Sequence, residues 1–285
     1  MKNRTLIAVL CLLALPAWGL AQSFLLQGPP PDGKGRITLR YFWPQAGLYG
    51  DRGYDLLSGL YDLSAAYRLG ERLHLVAALP YLAYRDSFVN WEQEKITRRG
   101  SGLGGISVAL RHLLSRGEGR NTTLTAGAYL PTFDCAKRDY WECKNLSAVG
   151  IEADFPEFPK SLDATTLFAR IARYRGLNGG WRAGLEGGAF LMIPRGGGTA
   201  PLYAQAGVAV GRSAGPVDVT AEWSGTVRLA GFVDEFFIHI YHQVGLGASW
   251  GRGRLRPGVF YTMPLDRHSR ENSRGAVGVR LSYEL

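Results

Sequence analysis

Strict two-residue alternation, recurring along most of the chain, constrains this sequence more than any other feature. From Val217 to Leu229 (VDVTAEWSGTVRL) every odd position is apolar or glycine and every even one is polar or charged. Successive strand side chains point to opposite faces, so such a run belongs between an apolar medium and water. The chain ends the same way, with Val277, Val279, Leu281, Tyr283 and Leu285 on one face and Gly278, Arg280, Ser282 and Glu284 on the other. A composition of 38 Gly, 12 Phe, 14 Tyr and 7 Trp with only 3 Met fits a sheet protein with many tight turns.

Read with that template, the sequence predicts strands near 35–43, 57–69, 71–84, 103–114, 121–131, 164–174, 180–193, 200–212, 216–229, 236–250, 253–264 and 275–285. An even number of strands returns both termini to one side, and most segments reach the nine to eleven residues, roughly, that a tilted strand needs to cross a bilayer. Short turns at Gly70-Glu71, 115–120, 176–178, 213–215 and Gly251-Arg252 alternate with generally longer connections at 44–56, 85–102, 132–163, 194–199, 230–235 and 265–274. That asymmetry belongs to outer-membrane barrels. The expected fold is therefore all-β: a transmembrane, antiparallel, up-and-down β-barrel of about twelve strands. Tyr41, Trp43, Tyr81, Tyr84, Trp250, Tyr261 and Tyr283 are expected on its apolar face as interfacial girdles. A soluble sandwich or lipocalin-like barrel would alternate too, but with its apolar face turned into a core.

Residues 1–21 read as a signal peptide: Lys2 and Arg4, an apolar run from Leu6 to Leu15, then Gly19-Leu20-Ala21. Cys11 lies inside that run and is expected to leave with it. Residues 22–34, with Pro29-Pro30-Pro31, form a periplasmic segment, and 35–285 the barrel. Cys135 and Cys143 then remain in an oxidising compartment, where a disulfide across loop 132–163 is expected. The interval between them has no His and no CxxC, which argues against metal. The formal charge of +9 would suit nucleic acid, but export directs it toward lipid head groups or anionic solutes.

The run Tyr61 to Leu75 (YDLSAAYRLGERLHL), then Leu79-Pro80-Tyr81, Ser101-Gly102-Leu103-Gly104-Gly105-Ile106 and Tyr129-Leu130-Pro131-Thr132, resembles the outer-membrane transporter family named for the meta-pathway of phenol degradation. Gly105 stands where that family usually has an acid, and Phe133 where it tends to have Gly. The resemblance implies a channel-like barrel for uptake of small, often aromatic or hydrophobic compounds. A shared scaffold does not by itself fix what passes through it.

By parity the lumen receives Arg36, Thr38, Arg40, Asp62, Ser64, Arg68, His74, Arg111, Thr123, Thr125, Arg170, Arg182, Glu186, Gln205, Asp218, Thr220, Glu222, Arg228, His239, Tyr241, Gln243, Arg256, Thr262 and Arg280, with Phe42, Tyr129, Phe190, Tyr203 and Phe260 among its aromatics. Arg40, Arg68, Arg111, Tyr129, Arg182, Tyr203, Glu222, Arg228, Tyr241, Arg256 and Phe260 are the candidate substrate path. An excess of arginine would favour anions or small aromatics bearing a carboxylate or phenolate. Alternatively, these groups pair and fill the barrel, giving a structural or surface-binding protein with a closed lumen. His268-Ser269 is the weak candidate for an outer-membrane lipid hydrolase, and no GxSxG, HExxH or P-loop is present. The expected reading is an outer-membrane channel rather than an enzyme, without cofactor or metal. Its expected partners are outer-membrane lipids, an unidentified small solute and, during biogenesis, the barrel-assembly machinery; nucleic acid is not expected.

Overall fold

The computed structural model describes residues 33–46, 53–54, 56–89, 95–117, 119–132, 164–195, 199–230, 240–251, 253–266 and 273–285. Residues 1–21, Cys135 and Cys143, His239, His268 and Ser269 lie outside that description, as does most of the 22–34 segment.

The alternating runs form strands β1 (Gly35–Ala46), β2 (Gly53–Tyr54), β3 (Gly59–Arg68), β4 (Leu73–Val89), β5 (Lys95–Leu103), β6 (Ile106–Gly117) and β7 (Arg120–Leu130). They continue as β8 (Ala164–Gly176), β9 (Trp181–Pro194), β10 (Leu202–Ala214), β11 (Val217–Ala230), β12 (Ile240–Trp250), β13 (Leu255–Pro264) and β14 (Ser273–Glu284). Every pairing is antiparallel, and β1 pairs with both β3 and β14. The sheet thus closes on itself, which removes the exposed edges that an open sheet would leave. β5 and β6 are two halves of one stave, since both pair with β4, and β2 is a two-residue ladder on the upper part of β4. The barrel therefore has twelve staves, as the alternation predicts.

Which face meets which medium is settled by exposure. Leu39, Leu63, Leu110, Ile171, Leu185, Leu246, Val279 and many other large apolar side chains stand on the outside, exposed. Arg40, Asp62, Arg111, Thr125, Arg170, Glu186, Glu222 and Arg280 are buried inside. A water-soluble barrel would invert this arrangement, because a continuous exposed apolar belt is stable only against lipid or a partner. Aromatics mark both edges of the belt: Tyr67, Trp181, Trp250 and Tyr283 at the end that carries the short turns, Tyr81 and Tyr261 at the end that carries the long connections. On the latter edge Tyr41, Tyr61 and Tyr81 are successive cross-strand partners, with ring centroids 4.6 and 6.2 Å apart. The Tyr61 hydroxyl donates to the Leu57 carbonyl at 2.9 Å, so the polar tips reach the margin of the belt.

Two expectations need correction. Tyr84 does not join the girdle: it is 5% exposed and faces inward with Leu82, because a residue three positions from Tyr81 must lie on the opposite face. The 85–102 connection is not irregular either. β4 and β5 pair from Tyr81↔Leu103 out to Val89↔Lys95, a hairpin rising past the apolar belt. Its sequence, RDSFV facing KITRR, loses the alternation because a strand in water needs no lipid face, while its backbone bonds persist.

Candidate functional site

Cross-strand partners on the inner wall form rows that climb the barrel obliquely, and these rows organise the lumen chemistry. One runs Arg68–His74–Arg111–Thr125–Arg170–Gly188–Gln205–Thr226 and reaches Tyr241, whose backbone alone is described. A second runs Ser213–Asp218–Ser249–Gly258–Arg280–Arg40–Asp62. Neighbours in such rows have Cβ atoms about 5 Å apart, so each charge is set by its row.

The second row carries buried polar and ionic contacts from β10 round to β3. Arg40 donates from Nε (3.0 Å) and Nη2 (2.7 Å) to one Asp62 oxygen, with both side chains buried. Arg36 meets Glu284 at 2.6 Å where the two ends of the barrel chain come together. Arg182 contacts Ser213 at 2.6 Å and Asp218 at 3.3 Å, and the Ser213 hydroxyl also donates to Asp218. Phe42, Leu60 and Leu82, all fully buried, add an apolar plug on the β1–β3–β4 wall. Phe260 meets Phe42 edge-on at 4.7 Å and lies where a side chain at Gly278 would stand.

The β8–β11 wall is different at its long-connection end. Phe168, Phe190, Tyr203 and Arg228 are consecutive partners across β8, β9, β10 and β11, near the long-connection end, and all four are only half-buried. Phe190 and Tyr203 stack at 4.8 Å with 11° between ring planes. The Arg170 guanidinium lies 5.0 Å from the centre of the Phe168 ring. Arg170 also meets Glu186 at 3.5 Å, close enough for charge attraction but long for a hydrogen bond. Among the described residues Arg228 faces no carboxylate. An aromatic face ending in a guanidinium can hold a planar solute by stacking and its anionic group by charge-assisted hydrogen bonding.

The candidate path thus divides. Tyr203 and Arg228 share the half-open wall. Arg40, Arg182 and Phe260 belong to the packed network, and Glu222 is buried. Arg68 sits beside the β3–β4 turn and donates to the Gly70 carbonyl at 3.1 Å, while Arg111 is buried between His74 and Thr125 in its row. Arg256 is half-buried opposite Ser282. Tyr129 is 2% exposed; its hydroxyl donates to the Gly104 carbonyl and its ring covers Gly105, so it braces the β5–β6 break. Gly105 has φ +137°, and a Cβ there would fall 2.5 Å from the Tyr129 ring, which accounts for glycine at this position. Sequence reasoning missed Phe168 and Tyr174. Both have the parity of Arg170, and that parity was the available signal.

Among the described residues no cluster of His, Cys, Asp or Glu is arranged to hold a metal. No family model matches the chain, and no curated protein matches it. Among solved structures, an outer-membrane channel from Pseudomonas putida F1 superposes with a TM-score of 0.61 at 12% identity, over 93% of this chain and 99% of that one. The NanC porin superposes with a TM-score of 0.53 at 6% identity, over 87% of this chain and 100% of that one. At such identities the likeness establishes the fold, a closed outer-membrane-type β-barrel.

Proposed function

We propose that this chain is an outer-membrane channel through which small organic solutes pass passively, with a preference for anions that carry a planar or apolar body. The observation that carries this reading is the asymmetry of the lumen: the β1–β3–β4 wall is packed by Arg40–Asp62 with Phe42, Leu60 and Leu82, whereas the β8–β11 wall, ion-paired nearer the short turns, presents the half-buried ladder Phe168–Phe190–Tyr203–Arg228 toward the long-connection end. A barrel built only to be filled would gain from burying that ladder as well. The solved structures it resembles include a protein titled an outer-membrane channel and one titled a porin, which supports the same direction. With the short turns on the periplasmic side, the ladder lies toward the cell exterior, where a solute would first meet the lumen.

Liposome swelling with reconstituted protein tests the proposal. Small carboxylates are expected to enter faster than neutral solutes of equal size, and Arg228→Gln to reduce that difference. The competing reading, a structural barrel with a closed lumen, draws on the packed β1–β3–β4 wall and predicts no solute entry beyond empty liposomes.

A further inference from the structure

At the end of the barrel that carries the short turns, the outward-facing side chains of most staves are apolar or aromatic, as with Tyr67 on β3, Leu75 on β4, Trp250 on β12, Leu255 on β13 and Tyr283 on β14. The sector from β7 to β10 departs from that rule. There β7 carries Arg120, β8 carries Arg173 and Arg175, and β10 carries Arg212. Arg120 has the parity of the exposed Leu124, Arg173 and Arg175 that of Ile171, and Arg212 that of Val210, so all four point out of the barrel. Arg120 and Arg175 are direct register partners, and Arg173 follows on the same face opposite Thr122. Like charges directly opposite on a sheet face are destabilising, so this pair gains from an anion placed between its members. On the neighbouring strands the Arg212 guanidinium lies 5.2 Å from the ring centre of Trp181, its own register partner, in the aromatic girdle. Among the described residues no carboxylate stands on this outer face, since Glu186, Asp218 and Glu222 have the inward parity. Further along the same strands Leu124, Ile171, Leu185 and Val210 are exposed and apolar, so the basic cluster sits where the lipid belt ends.

We propose that this sector is a binding site for an anionic phospholipid of the phosphatidylglycerol type, its phosphate held between Arg120 and Arg175 and its acyl chains lying on Leu124 and Ile171. Arginine suits the role, because its planar fork meets two phosphate oxygens at once and is weakly hydrated. Clusters of basic side chains at the edge of a membrane-spanning surface recognise anionic headgroups in this way. A zwitterionic headgroup would bring its own cation into the arginine cluster, so the anionic one is favoured. With the short turns on the periplasmic side, the lipid belongs to the inner leaflet of the outer membrane. The site lies on the outside of the wall, and its occupancy does not depend on whether the lumen conducts.

The test is native mass spectrometry of the full chain released from non-ionic detergent micelles, titrated with phosphatidylglycerol, with phosphatidylcholine of the same acyl chains, and with lipid A. Phosphatidylglycerol is expected to bind saturably and about tenfold more tightly than phosphatidylcholine. Arg120→Gln with Arg175→Gln should weaken phosphatidylglycerol about tenfold and leave phosphatidylcholine unchanged. Arg254→Gln, an exposed arginine of the β12–β13 turn outside the sector, should alter neither. Inorganic phosphate in large excess is expected not to displace the lipid, since it has no chains to lay on Leu124 and Ile171. Equal binding of the two phospholipids, tighter binding of lipid A, displacement by phosphate, or equal loss in Arg254→Gln would overturn the proposal. If the double variant fails to fold, arginine modification by phenylglyoxal in the unaltered protein decides. Phosphatidylglycerol, but not phosphatidylcholine, should protect Arg120 and Arg175 and leave Arg254 reactive, and absence of that protection rejects the site.

Discussion

Among single residues, Asp62 illustrates how the lumen is held together. It receives two bonds from Arg40, and Arg40 stands directly across from Arg280, so the carboxylate screens one guanidinium from the next. Asp62→Ala would remove the carboxylate that the buried Arg40 guanidinium bonds twice, and is expected to lower unfolding stability by about 3–5 kcal/mol, read as a reduced urea midpoint in micelles. Unchanged stability would mean water reaches this wall and the row is not packed. Tyr129 separates packing from transport. Tyr129→Phe should cost about 1 kcal/mol through its bond to Gly104 and leave solute entry unaltered, whereas Gly105→Ala should cost on the order of 1–3 kcal/mol by straining a positive φ. Parity in the sequence was enough to orient Arg40, Asp62, Arg111 and Arg228 inward. It could not tell which of them would be paired, because partnership depends on the register between strands distant in sequence, as with Arg36 and Glu284.

Among the elements, the seam where β1 meets β14 is what makes the sheet a barrel. Leu39 and Leu281 are register partners there, facing outward. Cysteines at these two positions are expected to cross-link under mild oxidation, since direct partners bring Cβ atoms to about 4.5–5.5 Å. A Leu39→Cys, Tyr283→Cys pair, offset by two positions, should cross-link far less; the reverse preference would indicate a shifted seam. The twelve staves were legible because each carries an apolar face dictated by lipid. The extended β4–β5 hairpin was not, since beyond the belt the lipid no longer imposes a pattern and only backbone hydrogen bonds define the strand. The interruption at Gly104-Gly105 is visible in sequence as a glycine pair, but its cause, the Tyr129 ring lying over Gly105, comes from a strand away.

For the whole molecule, the distribution of charge links fold to function. Apolar side chains face outward and arginines outnumber carboxylates on the described inner wall, so the low-dielectric shell concentrates a positive field in the lumen. The half-open wall of Phe168, Phe190, Tyr203 and Arg228 places part of that field beside stacked rings. Composition and alternation made the excess of inward arginines on the described strands readable in advance. The asymmetry between a packed wall and a half-open one was not readable, because residues of identical parity, such as Phe260 and Phe190, differ only in what the neighbouring strands put beside them. The central claim, an anion-preferring pore, is tested most directly by the reversal potential of the purified protein in a planar bilayer under a potassium chloride gradient. The account predicts a sign corresponding to chloride permeating faster than potassium, with the preference reduced in Arg228→Gln; cation preference, or no conductance from correctly folded protein, would contradict it.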